Sequence, residues 1–181
     1  VFLGGAVGAM KPVPPDGTVP MECAQRMGAA LAERVLGQFT TLSFKDHIDI
    51  AAIGVPVDMP PMQVRLFSPN WRMSPNLAWV VGLPPGGWIQ AVRAGDMVFM
   101  GLPYDTGGEI AEEWIAEAAK KGIDLWVSSH CIAYCGYLSP DRHYMNPTVG
   151  YDQDYEWRIM NWYGPNQEAM YRELKDHILT A

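Results

Sequence analysis

Several segments of the chain bring oxygen, nitrogen and sulfur donors to places where apolar runs give way to turns. Gly101-Leu102-Pro103-Tyr104-Asp105 sets a carboxylate just after one such run, and Ser128-Ser129-His130-Cys131-Ile132-Ala133-Tyr134-Cys135-Gly136-Tyr137 follows another. Tyr155-Glu156 and Tyr163-Gly164-Pro165 add further phenols and a carboxylate. Carboxylate oxygen, imidazole nitrogen and thiolate sulfur are potential metal ligands, and phenol hydroxyls are hydrogen-bond donors. Each residue also has a structural reading. Asp105, Thr106 and the glycines after them could cap a helix starting near Glu109. Tyr137 could be a half-buried core tyrosine. His130, Cys131 and Cys135 could form a soft metal cluster by spacing alone, but neighbours on a strand point to opposite faces, which favours a structural histidine with two packed thiols.

The elements that must position these groups follow from periodicity and turn residues. Residues 88–92 and 97–101 read as two strands joined by the hairpin signal Arg93-Ala94-Gly95-Asp96. Residues 109–121 read as a helix closed by Gly122, and residues 124–129 as a buried strand. A final helix is expected over 164–181. Upstream, residues 1–3 read as a strand and 4–17 as a Gly/Pro loop, since Pro12, Pro14 and Pro15 forbid regular pairing. Met27, Ala30, Leu31, Val35 and Leu36 recur at helical spacing after Met21, with Gly37 as the stop. Residues 47–57 and 63–67 suit two more strands, and 67–76 a turn-rich surface loop carrying Trp71. Alternating strands and helices in the second half indicate an α/β or α+β layered domain, a mixed sheet flanked by helices. The 181 residues make one domain or part of one.

Composition narrows the function classes. A net charge of −7 without clustered Lys or Arg argues against nucleic acid. No apolar run reaches the roughly 18–20 residues of a membrane span and no signal peptide is visible, so the segment reads as soluble and the compartment stays open. Three cysteines, Cys23, Cys131 and Cys135, form no CxxC pair. Hydrophobic residues reach 49%, with seven Trp, eight Tyr and eleven Met, which points to extensive burial in a core or an interface. An abrupt start at Val1, inside an apolar run entering a glycine-rich turn, suggests a processed chain or a fragment.

In order and spacing these motifs resemble the C-terminal half of the catalytic domain of the neutral/alkaline (non-lysosomal) ceramidases, zinc hydrolases that cut an amide bond in a lipid. Gln90-Ala91-Val92-Arg93-Ala94-Gly95-Asp96 is similar to the family's Q-x-x-R-x-G-D hairpin, and Pro103-Tyr104-Asp105 to the P-G-E whose Glu is a zinc ligand. The Gly136-Tyr137 pair resembles a Gly-Tyr whose tyrosine is a further ligand, and Tyr155-Glu156 a Y-E pair whose tyrosine faces the carbonyl oxygen under attack. Gly4-Gly5-Ala6-Val7-Gly8-Ala9-Met10-Lys11-Pro12 is similar to Q-G-x-x-G-D-x-S-P, with Ala9 in place of the Asp and Lys11 in place of the proposed serine nucleophile.

The resemblance implies a zinc-dependent hydrolase of an amide or related acyl bond, its substrate a small or lipid-like amide and not necessarily ceramide. Asp105 and Tyr137 would bind the metal, Tyr155 would stabilise the oxyanion, and Lys11, alternatively a solvated loop lysine, would hold an acidic group of the substrate. Serine chemistry is excluded at position 11, whereas a metal can activate water without a serine. His143, Asn146 and Asp152 fall in a segment expected to reshape the pocket. The family's two zinc-binding histidines lie upstream of the glycine-rich motif, while His47, His130, His143 and His177 all lie after it, so an N-terminal partner chain or segment is expected to supply them, in a hetero- or homo-oligomer. Two rival readings remain. One is a non-catalytic assembly subunit that keeps the fold, suggested by Lys11, Asp105 and the exposed-looking Trp71, Trp157 and Trp162. The other is an esterase or lactonase.

Overall fold

The structure, a computed structural model, describes residues 3–8, 13, 19–65, 70–145 and 159–180. The chain divides into two compact units, Lys11–Ile48 and a larger one combining Val1–Met10 with Asp49–Ala181. In the smaller unit, α1 spans Pro20–Phe39, its proline in the first turn where a missing N–H costs nothing. It runs through Gly37, the expected stop. The Thr40 and Thr41 hydroxyls close its end by donating to the Gly37 and Gln38 carbonyls. None of its residues is buried.

The larger unit is built on a four-stranded sheet of β1 (Ile50–Asp58), β2 (Gly86–Ala94), β3 (Met97–Gly101) and β5 (Asp124–Ser128), lying side by side in that order. β1, β2 and β3 pair antiparallel, and β3 pairs parallel with β5, so the sheet is mixed. The expected hairpin forms with Ala94 opposite Met97 and Gly95 at positive φ, which suits a two-residue turn. Between β3 and β5 lie the short strand β4, Asp105–Thr106, and α2, Gly108–Lys120. Gly122, at φ +75°, ends that crossover as the sequence indicates. Beyond β5 come β6 (Tyr137–Leu138), α3 (Asp141–Met145) and α4 (Gln167–Thr180).

One sheet face carries the core. Ile89, Ala91, Met100, Leu125 and Val127 alternate onto it and pack with Ile110, Trp114 and Ala118 of α2 and Tyr171 of α4. Burying each large apolar side chain there contributes about 1.5–3 kcal/mol. Arg172 of α4 ties the helices together, reaching Glu113 and Glu117 of α2 and Glu168 of its own helix. The opposite face is apolar yet open: Trp88, Val92 and Trp126 are exposed, with Phe99 beside Trp126 at 6.3 Å between rings.

Two expectations fail against this fold. The strand at 124–128 is not buried on both faces; it lies at a sheet edge, and Trp126 is 53% exposed. No strand forms over 63–65, where only the isolated antiparallel bridge Arg65↔Arg72 is made, and 66–69 fall outside the described residues. Among the described residues, no helix is long and apolar enough to cross a membrane.

Candidate active site

The parallel pairing of β3 and β5 places the loops after both strands at one edge of the sheet, where open α/β sheets hold their ligands. The Leu102 N–H extends the ladder to the Ser128 carbonyl, and the chains then stay interlocked. The N–H groups of His130, Cys131 and Cys135 donate to the carbonyls of Tyr104, Leu102 and Pro103, and that of Asp105 to Gly136. β4 and β6 pair parallel, with Asp105 in register with Tyr137. Two of the residues singled out in the sequence, 32 positions apart, are thereby neighbours across a ladder.

The Asp105 carboxylate is 14% exposed and engages two side chains. His130 Nε2 lies 2.7 Å from Oδ1, and the Tyr134 hydroxyl donates to Oδ2 at 3.3 Å. The His130 and Tyr134 rings stack at 5.2 Å, and Tyr134 meets Trp162 edge-on. Trp162 is therefore half-buried packing rather than a free surface aromatic. His130 and Ile132 both sit at positive φ, +58° and +66°. For a β-branched residue this conformation is strained by about 1–3 kcal/mol, strain of a kind that clusters at functional sites.

Tyr104 anchors the loop from below. Its buried ring meets Tyr171 edge-on at 5.2 Å, and its hydroxyl donates to Gln167 Oε1 at 2.8 Å. Burial pushes its phenol well above the usual range, so it remains a neutral donor. The glycine-rich segment 4–8 closes a second side. Ser128 Oγ donates to the Gly4 carbonyl, and Ser129 N–H to that of Gly5. The Ser129 hydroxyl in turn accepts from the Val7 and Thr106 N–H groups. The Gly8 N–H donates to the Thr106 carbonyl, and a Cβ at Gly8 would fall 2.5 Å from the Asp105 carbonyl oxygen, so only glycine permits this approach.

Asp105 does not cap α2: the N-cap is Gly107, with no side-chain hydrogen bond. His143 pairs with Glu109 at 3.1 Å, beside Arg142. Cys135 is a packed thiol, pushed up to about 11 by burial, and the Cys131 thiol contacts the Ser128 and Ser129 carbonyls. Among the described residues, no three His, Cys, Asp or Glu side chains converge on one metal position. Lys11, Asn146, Asp152, Tyr155 and Trp157 lie outside the described residues. The sequence reading missed the pairing of His130 and Tyr134 with Asp105. A usable signal existed, since His130 follows its strand just as Asp105 follows β3.

The Asp105 carboxylate is a donor type that zinc accepts and Tyr137 lies in register beside it, so these residues would fit part of a zinc site, with His130 engaged on the carboxylate.

No protein-family model and no curated protein matches the chain. Among solved structures, its fold is similar to that of neutral ceramidase from Pseudomonas aeruginosa, with a TM-score of 0.55 and 17% identity over 91% of this chain and 33% of that one. It is also similar to a ceramidase complexed with C2, with a TM-score of 0.51 and 16% identity over 80% and 31%. The chain thus spans about a third of the length of the ceramidases it matches. It has a ceramidase-like mixed α/β fold, a four-stranded mixed sheet with helices packed on it.

Proposed function

We propose that the chain forms part of the catalytic domain of a zinc-dependent hydrolase acting on an amide or related acyl bond. The observation that carries this reading is the convergence of Asp105, His130, Tyr134 and Tyr137 at one sheet edge, closed by the glycine-rich segment, in a fold shared with part of the ceramidases. Asp105 and Tyr137 hold the metal. When bound, zinc polarises a carbonyl and lowers the pKa of water toward about 7. His130 orients the Asp105 carboxylate as an outer partner, the arrangement that fixes metal-ligating groups elsewhere. Tyr155 donates a hydrogen bond to the oxyanion, and Lys11 binds an acidic part of the substrate.

The remaining ligands, two histidines, come from an N-terminal partner chain or segment. The open apolar face of Trp88, Val92 and Trp126 supports such a partner, because exposed patches of this kind mark association surfaces. A second reading, a fold-retaining assembly subunit without chemistry, is favoured by one observation: both oxygens of Asp105 are already engaged within the chain.

Elemental analysis of purified protein, with and without co-expressed N-terminal segment, coupled to a panel of N-acyl amides and matched esters, tests both. Zinc and amide hydrolysis appearing only in the combined sample supports the proposal. A stably assembled, metal-free, inactive complex supports the subunit reading, ester preference points to an esterase or lactonase, and an active zinc-loaded monomer of 1–181 overturns the split site.

A further inference from the structure

The hairpin motif contains an arginine that the candidate site does not use. Arg93 pairs with Ala51 on β1 and Val98 on β3, a register that turns it to the helix-covered face of the sheet, in line with Ala91 and Ile89. It is the cation of an otherwise apolar groove of about 390 Å³. Ala51, Ile53, Ala91 and Val98 form the groove's floor, and Ile178 and Leu179, in the last turn of α4, form its wall. The small alanines on β1 and β2 leave space beside the last turn of α4. Among the described residues, no carboxylate lies within ion-pairing distance of the Arg93 guanidinium, whereas Arg65, Arg72, Arg142 and Arg172 each donate to an oxygen acceptor.

We infer that this groove binds a small amphiphile with an anionic head, an aliphatic monocarboxylate of medium chain length, its carboxylate on Arg93 and its tail along the alanine floor. The volume lies in the range of small-molecule pockets, and such pockets combine apolar walls with a few placed polar groups. A guanidinium suits a carboxylate because its paired N–H donors match the two oxygens. Charge complementarity selects this occupant over an apolar protein segment, for which a lone cation in the groove is a desolvation cost. Neither zinc chemistry nor the proposed reaction enters this assignment.

Methyl-labelled protein of residues 1–181 titrated with decanoate, below its micelle concentration, tests it. Shifts at the Ile53, Val98, Ile178 and Leu179 methyl groups are expected to saturate. Arg93→Gln should weaken binding about tenfold to a hundredfold, as for loss of a charge-assisted hydrogen bond, with Arg93→Lys intermediate. Ala51→Trp should block the groove, and Gly108→Ala, remote from it, serves as a folding control. Decanol binding as tightly as decanoate, an unchanged affinity in Arg93→Gln, or methyl shifts that follow protein concentration rather than ligand would each overturn the proposal.

Discussion

His130 Nε2 stands 2.7 Å from Asp105 Oδ1, with the imidazole 48% and the carboxylate 14% exposed. The pair joins the ends of two parallel strands, so a change at either residue perturbs both loops. Asp105→Asn and Tyr137→Phe are expected to lower zinc occupancy of the assembled protein about tenfold or more, while His130→Ala lowers it about 10- to 100-fold by freeing the carboxylate. Mass spectrometry of bound metal measures this, with circular dichroism to verify the fold. Full occupancy in all three variants would exclude the site.

Tyr155→Phe is expected to keep the metal and lose about 10²- to 10³-fold in kcat, since an oxyanion donor acts in the transition state more than in binding. Lys11→Ala should instead raise KM with kcat largely retained, the mark of a charge that positions substrate. Steady-state kinetics on the best amide of the panel separates the two. A covalent acyl group trapped on Lys11 would contradict its assignment.

Gly8→Ala should destabilise the protein by about 1–3 kcal/mol, because its Cβ would meet the Asp105 carbonyl and push the loop outward. Gly136→Ala should cost more: its φ of +81° disfavours any Cβ, and that Cβ would also meet the Met160 carbonyl and the Trp162 ring. Gly108→Ala, with nothing within 4 Å of the added carbon, should be neutral or stabilising. Urea unfolding ranks the three.

Arg172→Met should reduce stability at neutral pH and progressively less in acid. The hydrogen bond from Arg172, with a further one from Arg142, holds the Glu113 carboxyl below its ordinary value of 4.5. A depressed carboxyl contributes stability above that ordinary value and loses it as pH falls through the folded one. The difference between wild type and variant, followed by urea unfolding from about pH 7 to about pH 3, should therefore shrink toward low pH. A constant difference would show that lost packing, not charge, dominates.

The hairpin at Gly95-Asp96, the helix ending at Gly122 and the apolar character of residues 124–128 are legible in the amino-acid sequence, because each depends on contacts between residues a few positions apart. The sequence motifs also single out Asp105 and Tyr137. What they leave hidden is non-local. Leu125, Trp126 and Val127 are all apolar, so their pattern cannot tell a strand covered on both faces from an edge strand with Trp126 outside. Residues 63–65 have strand-like composition, yet a strand needs a neighbouring ladder and they find one bridge. Whether Asp105 caps a helix or pairs with His130 depends on β3 lying parallel to β5. That arrangement costs loop entropy in the α2 crossover and is decided by burial of Leu125 and Val127 against Trp114. Side-chain periodicity determines local form; only the packing of that sheet decides which distant loops share an edge.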